Sequence, residues 1–407
     1  MSSTRAALTF VLLSVFIDSL GFGIIIPSMP SVIVQLTGAP ISIAADWGGY
    51  LMAVYALLQF FMAPIFGNLS DRIGRRPVLL ASLAAFGVDF LLTGLATSMT
   101  WLFTGRAVAG VFGASFSAAG AYIGDISNDE NRARNFGFIG AAWGCGFTLG
   151  PAIGGLFADH IDPRAPFFAA AALALANVAF GIFALPESLA PENRRKFDWA
   201  RANPFGSFKS LAHLPTVAGL LVAVFLYQIA HDSLPAVWMY YTQLKFGWSI
   251  SETGWSLTFV GIMTVAVMGG LTGVIVPRLG ESRSIILGFM LMTLGFVGYS
   301  LASRGWMLYA AIALGSLGGI ANPAVQSVMS RQVGPSAQGE LQGALASLNS
   351  IAAIVSPIFM TQMFSYFSSP AAPVQFPGAP YLVSAVLVFC CVLICARAVK
   401  MGPDPVR

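Results

Sequence analysis

Five ionisable residues stand inside long apolar stretches: Asp18, Asp89, Arg106, His231 and Asp232. Charge in hydrocarbon is costly and marks a functional position by default. Carboxylates and imidazole can take up and release protons, and histidine does so near neutral pH. A buried Arg stays protonated and needs an acceptor or a carboxylate. It also biases a nearby carboxylate toward releasing its proton. Asp18 with Arg106 is therefore a candidate proton-coupling pair, with a purely structural ion pair as the alternative. Asp89 joins the set, its alternative being a place toward a helix end. His231 and Asp232 lie about 100° apart on a helix and need not pair. Pro235 follows them and is expected to break or kink the helix, leaving backbone groups to line a cavity. A solvated outer-end position is the other reading of this pair. No metal site is expected, because His160, His213 and His231 share no ligand spacing. Cys145, Cys390, Cys391 and Cys395 all lie in apolar runs and read as helix packing.

A second kind of chemistry sits in Gly67-Asn-Leu-Ser-Asp71-Arg72-Ile-Gly74-Arg75-Arg76-Pro77, a charged hairpin between two apolar runs. Its glycines permit a tight turn, and its Asp and Arg can pair with each other and with helix ends. Gly150-Pro151-Ala-Ile-Gly154-Gly155 offers small residues for close helix packing. Polar or aromatic residues in mid-helix are cavity candidates: Tyr55, Gln59, Trp143, Gln228, Trp238, Asn322, Gln326 and Asn349. Each alone also reads as helix-to-helix glue. Together they describe a large, mostly apolar cavity with few polar anchors, suited to amphiphilic or aromatic molecules. Basic residues that could clamp a phosphate are scarce, with Arg106 the one deep example.

The elements that must position these residues follow from composition. The 407 residues are 57% hydrophobic and 9% charged, where a soluble protein carries about 25% charged residues. That excludes disorder and a soluble domain and points to an all-α polytopic membrane protein. Apolar segments fall near 6–30, 47–67, 77–96, 101–124, 136–158, 165–185, 215–242, 253–276, 284–302, 306–329, 339–366 and 379–398. The first run continues past Pro27 without a cleavage site and reads as a helix rather than a signal peptide. Twelve spans place both termini on one side. Of 21 Lys and Arg, 17 fall on that side; Arg164, Lys245 and Arg304 fall on the other, and Arg106 within a span. The asymmetry predicts cytoplasmic termini. A charged, proline-bearing stretch divides the chain into a six-helix bundle over 1–186, a cytoplasmic linker over 187–213 and a second bundle over 214–407. The halves repeat. A shift of 206 residues superposes Gly67 on Gly273, Arg72 on Arg278, Gly74 on Gly280, Gly113 on Gly319, Gly137 on Gly343 and Pro151 on Pro357. The second copy of the hairpin is degenerate and has lost the Asp. Parallel repeats with a substrate site between them are a transporter architecture.

The hairpin pattern Gly-x-x-x-Asp-Arg-x-Gly-Arg-Arg resembles the loop between helices 2 and 3 of the major facilitator superfamily. Arg106-Ala-Val-Ala-Gly110-Val-Phe-Gly113 resembles its helix 4 motif. Gly150-Pro151-x-x-Gly154-Gly155 resembles the helix 5 signature of its drug:proton antiporters. Along nearly its whole length the chain is similar to the tetracycline-efflux (TCR/Tet) group. The match is closest at Asp18–Pro30, Tyr55–Gln59, Ser70–Leu80, Gly120–Asp125 and Gly339–Gly343. The resemblance implies the major facilitator fold and a proton-coupled antiporter exporting small lipophilic or amphiphilic compounds, as in antibiotic resistance. It also implies a monomeric multi-pass protein of the inner (plasma) membrane. Its partners would be a small-molecule substrate, protons and lipid, with no cofactor, no nucleic acid and no enzymatic reaction. A proton symporter or facilitator importing a metabolite is the alternative. The resemblance makes Asp18, Asp89 and Arg106 coupling residues. It makes Gly67, Asp71, Arg72, Gly74, Arg75, Arg76 and Asp125 a cytoplasmic gate, with Asp71, Arg75 and Asp125 as a charge relay. The second half departs. Tetracycline exporters carry a His and a Gln in helix 8 and an Asp in helix 9, where this chain has Thr264, Met268 and Met292. Tetracycline itself is therefore not carried over, and His231 with Asp232 is expected to supply the protonatable group.

Overall fold

The structure, a computed structural model, describes residues 2–113, 115–128, 130–197, 215–333 and 337–400. Every regular element among them is helical. The α-helices are α1 (Ser2–Ile25), α2 (Met29–Thr37), α3 (Ile41–Ile73), α4 (Arg75–Gly94), α5 (Met99–Val111), α6 (Ser115–Ile126), α7 (Arg132–His160) and α8 (Ala165–Ala184). They continue with α9 (Pro215–Phe246), α10 (Ile250–Ala266), α11 (Thr272–Leu279), α12 (Glu281–Leu301), α13 (Gly305–Leu317), α14 (Ala321–Gln332), α15 (Gln338–Ser368) and α16 (Ala379–Lys400).

Eleven stretches among the described residues are long and apolar enough to cross a bilayer, so the chain is a multi-pass helical membrane protein. Several spans are built from two pieces. Pro27 and Pro30 remove two backbone donors, and α1 passes into α2 through a tight 3-10 turn at Ile26–Ser28. A π-helical turn at Val267–Leu271, around Gly269 and Gly270, joins α10 to α11. The expected span over 101–124 is divided into α5 and α6, flanking residue 114. The break frees backbone carbonyls, and the Gln59 side chain covers one by donating to Gly113 O at 2.8 Å. By contrast α9 runs unbroken through Pro235, so the helix break expected there does not occur.

The chain divides into two compact units. Unit 1 takes Met1–Pro40, Val54–Asn203 and Trp248–Thr258; unit 2 takes Ile41–Ala53, Pro204–Gly247 and Phe259–Arg407. These differ from the bundles expected over 1–186 and 214–407 at two places, the opening turns of α3 and α10. The reason is packing. Gly48 and Gly49 of α3 lie against Tyr240 and Thr361, and Gly254 of α10 lies against Pro151. Most of the linker expected over 187–213 lies outside the described residues. Unit 1 is filled by aliphatic and aromatic side chains such as Phe10, Val11, Leu79, Leu83, Tyr122 and Ile139. Unit 2 contains an edge-to-face aromatic cluster of Trp238, Tyr241, Tyr299 and Tyr381, with ring centroids 5.0 to 6.1 Å apart.

Candidate functional site

Gly74 alone separates α3 from α4, at φ 112° and ψ 160°, a backbone conformation open essentially to glycine. The turn brings three expected residues together. Arg75 pairs with Asp71 one helical turn back, and its Nε donates to Asp125 Oδ2 on α6 at 3.2 Å. Arg75 also donates to Ser70 Oγ at 2.7 Å. Arg72 is exposed, and the Arg76 guanidinium reaches the Ile182 carbonyl. Glu187, just beyond α8, was not expected here. Its carboxylate accepts from the backbone N–H of Arg75 (2.8 Å), Arg76 (3.3 Å), Ser188 (3.0 Å) and Leu189 (3.1 Å). It thus caps α4 from a distant part of the chain, filling the space a Cβ on Gly74 would need. Ser188 donates to Asp125 Oδ2 at 2.9 Å, and the Arg195 N–H donates to Asp71 O at 2.9 Å.

The second cluster is buried in unit 1. Asp89 on α4 is 0% exposed and Arg106 on α5 is 6% exposed. They form an ion pair, with Arg106 Nε donating to Asp89 Oδ1 at 3.2 Å. Arg106 was expected to pair with Asp18, and Asp89 to join the same coupling set, with a place toward a helix end as its alternative. The structure pairs Arg106 with Asp89 and buries that carboxylate fully, because α4 and α5 meet where Gly105 leaves room for it. The Arg106 guanidinium also lies over the Tyr55 ring, 5.7 Å from its centroid. Gln59 donates to Tyr55 Oη at 3.1 Å. Asp18, half-buried on α1, lies within electrostatic reach of the Tyr55 hydroxyl. Tyr55 and Gln59, expected in a substrate cavity, thus belong to this polar cluster.

In unit 2, His231 Nδ1 lies 3.7 Å from Asp232 Oδ1, beyond hydrogen-bond length. Asp232 instead accepts from Gln228 one turn earlier, at 2.7 Å. His231 lines a cavity of about 190 Å³ together with Thr264, Met268, Met292, Phe296 and Tyr299. Thr264, Met268 and Met292, the expected points of departure from the tetracycline-efflux pattern, therefore share one cavity with His231. A second cavity, of about 240 Å³, is lined by Gln228, Asn322, Gln326, Gln342 and Asn349. Tyr227 and Asn322 line both. Gln228, Asn322, Gln326 and Asn349 were expected as cavity residues; Tyr227 was missed, since an aromatic on an apolar helix gives no signal of its own. Trp238 is 1% exposed inside the aromatic cluster, and Trp143 stacks on Phe147 at 5.2 Å; neither lines a described cavity.

The Gly-Pro stretch of α7 is a contact surface. A Cβ on Gly150 would meet the Gly23 backbone, one on Gly154 the Ile24 carbonyl, and one on Gly155 the Ser251 backbone. Asp159 Oδ2, one turn on, accepts from the Ser251 N–H at 2.8 Å, and Thr258 donates to Thr148 O at 2.8 Å. Unit 2 repeats the hairpin. Gly280 has φ 77°, and Glu281 pairs with Arg331 while accepting from Ser327 at 2.7 Å. No group of His, Cys, Asp and Glu suited to a metal ion occurs among the described residues.

The sequence profile of the Major Facilitator Superfamily matches residues 11–303 and 223–406. The class C tetracycline resistance protein of Escherichia coli is 38% identical, covering 97% of each chain. The class G tetracycline resistance protein of Vibrio anguillarum is 34% identical over 97% of this chain and 98% of its own. Among solved structures, a bacterial homologue of the human lysosomal transporter Spinster, inward-facing and unoccupied, superposes with a TM-score of 0.79. It covers 99% of both chains at 15% identity, which speaks to the fold alone.

Proposed function

The chain belongs to the Major Facilitator Superfamily, and from that premise we propose that it is a proton-coupled antiporter exporting small lipophilic or amphiphilic compounds. The observation that carries this reading is the polar cluster of Asp89, Arg106, Tyr55, Gln59 and Asp18 in otherwise apolar helices. An ion pair with a second carboxylate nearby lets a proton be exchanged while the Arg charge stays satisfied. Similarity to tetracycline resistance proteins over nearly the whole chain supports export. The α7 Gly-Pro stretch supports it too, because tight backbone contacts seal a helix face against water. In this reading Asp71, Arg75 and Asp125 latch a cytoplasmic gate, Glu187 holds its geometry, and His231 with Asp232 supplies the protonatable site of unit 2. The excess of Lys and Arg on one side of the spans supports cytoplasmic termini. The protein works as a monomer in the inner membrane.

Everted vesicles with an acidic interior, a pH-sensitive dye and a panel of lipophilic drugs including tetracycline test the proposal. Adding a substrate should make the lumen more alkaline, and Asp18→Asn should abolish the response. Compound-driven acidification would instead indicate symport. Unchanged proton movement after replacing both His231 and Asp232 would remove those two from the coupling set.

A further inference from the structure

The two adjoining cavities of unit 2 differ in chemistry, and the difference defines a ligand. The first is walled mainly by Met268, Met292, Phe296, Tyr299 and aliphatic side chains, with His231, Thr264 and Ser316 as its polar points. The π-helical turn at Val267–Leu271 includes Met268 and so shapes this wall. The second presents five side-chain amides, Gln228, Asn322, Gln326, Gln342 and Asn349. Asn322 and Tyr227 form the doorway between them, tied by a 3.1 Å hydrogen bond from Asn322 Nδ2 to Tyr227 Oη. Among the described residues, no Asp, Glu, Lys or Arg lines either cavity. The neighbouring carboxylate, Asp232, accepts a hydrogen bond from the Gln228 amide.

We infer that these cavities form one site for an uncharged amphiphile, with an aromatic or branched apolar body among the methionines and aromatics and a neutral hydrogen-bonding head among the amides. This deepens the exporter reading and rests on it for the direction of transport, though not for binding. The physical basis is the cost of each alternative. A fixed cation entering the site would lose water and meet no carboxylate on the wall. A wholly apolar ligand would leave the amides unpaired where water is displaced. A neutral head that both donates and accepts satisfies them, because each amide offers both functions. Soft thioethers on the other side adapt to varied apolar bodies. Loss of one ligand-facing amide should weaken binding by about tenfold.

The test uses the purified full-length chain in nanodiscs and three probes: chloramphenicol (uncharged, aromatic, with amide and hydroxyl groups), ethidium (a permanent cation) and tetracycline with Mg²⁺. Binding is measured by equilibrium dialysis, alongside the vesicle assay above. Chloramphenicol should bind at least about tenfold more tightly than ethidium, and Gln326→Ala and Asn349→Ala should each weaken it by about tenfold. Asn322→Ala should do the same; if loss of its bond to Tyr227 impairs folding, the other two variants carry the measurement. Chloramphenicol binding unaffected by Gln326→Ala and Asn349→Ala would overturn the inference, as would absence of binding. Tighter binding of ethidium or of magnesium-tetracycline would overturn it while leaving the exporter reading intact. Chloramphenicol bound through these amides, with no proton movement for any compound, would uphold the site and sink the exporter reading.

Discussion

Replacing Asp89 by Asn should be among the most destabilising single changes in unit 1. Asp89 is 0% exposed and Arg106 6% exposed, so neither side chain can turn to water. Removing one partner of a buried pair leaves the other charge uncompensated, a loss of about 3–5 kcal/mol. Asparagine keeps the shape and one acceptor, which puts Asp89→Asn near the lower end, about 3 kcal/mol. Replacing both residues by apolar ones of similar volume, Asp89→Leu with Arg106→Met, should recover most of that loss. The double variant should therefore be more stable than Asp89→Leu alone by about 2 kcal/mol or more. Denaturant unfolding in detergent, followed by circular dichroism, gives the full cycle. An Asp89→Asn protein within about 1 kcal/mol of the parent would refute the argument. So would a double variant no better than the single one. Either result would mean that Arg106 is compensated elsewhere, with the half-buried Asp18 carboxylate, within electrostatic reach of Tyr55, as the first place to look.

Glu187→Ala removes the acceptor of four backbone N–H groups at the start of α4 and beyond α8. It should cost about 1–2 kcal/mol and speed hydrogen exchange at Arg75, Arg76, Ser188 and Leu189 while the rest of the chain keeps its protection. Gly154→Leu drives a side chain into the Ile24 backbone and should abolish transport or folding, whereas Gly140→Ala, on the same helix with nothing within 4 Å of its would-be Cβ, should leave both intact.

The spans were legible because hydropathy over about 20 residues reports the cost of exposing backbone to lipid. What hydropathy cannot see is how a span is built. The helix end at Val111 and the π-helical turn at Val267–Leu271 both sit in runs that hydropathy reads as single spans. The charged hairpin was legible because its chemistry is local: Asp71 and Arg75 are one helical turn apart. For Asp89 the opposite holds. Its depth and its partner are set by the crossing of α4 and α5 at Gly105, a tertiary fact with no periodicity. Glu187 escaped for a related reason, since a Glu after a helix and before a proline-bearing stretch reads as a solvated charge until α4 is seen ending on it. Trp238 shows the converse. A large aromatic in mid-helix invites a cavity reading, but the Tyr299 ring from α12 and the Tyr381 ring from α16 already pack edge-on against it.

The internal repeat explains why the second half was harder to read than the first. The 206-residue shift that superposes Gly74 on Gly280 also carries Arg75 onto Glu281 and Asp125 onto Arg331. Both pairs form an ion bridge after a glycine of positive φ, with the charges exchanged between the partners. A motif read by residue identity sees loss in unit 2, because Pro277 stands where Asp71 would repeat. Read by charge and geometry, the bridge is retained. An ion pair is indifferent to which helix carries the acid, so a swapped pair holds the same two elements together while erasing the sequence signature. The buried pair has no such counterpart: Asp89 and Arg106 map onto Gly295 and Ile312, and Gly295 meets Gly315 in a close apolar crossing. His231 maps back onto Ile25. The latch-like bridge was thus kept in both repeats, whereas the intramembrane titratable groups were placed differently in each. That is the pattern expected if holding a turn is a requirement of the fold, while moving protons and binding a ligand are tasks the two halves divide.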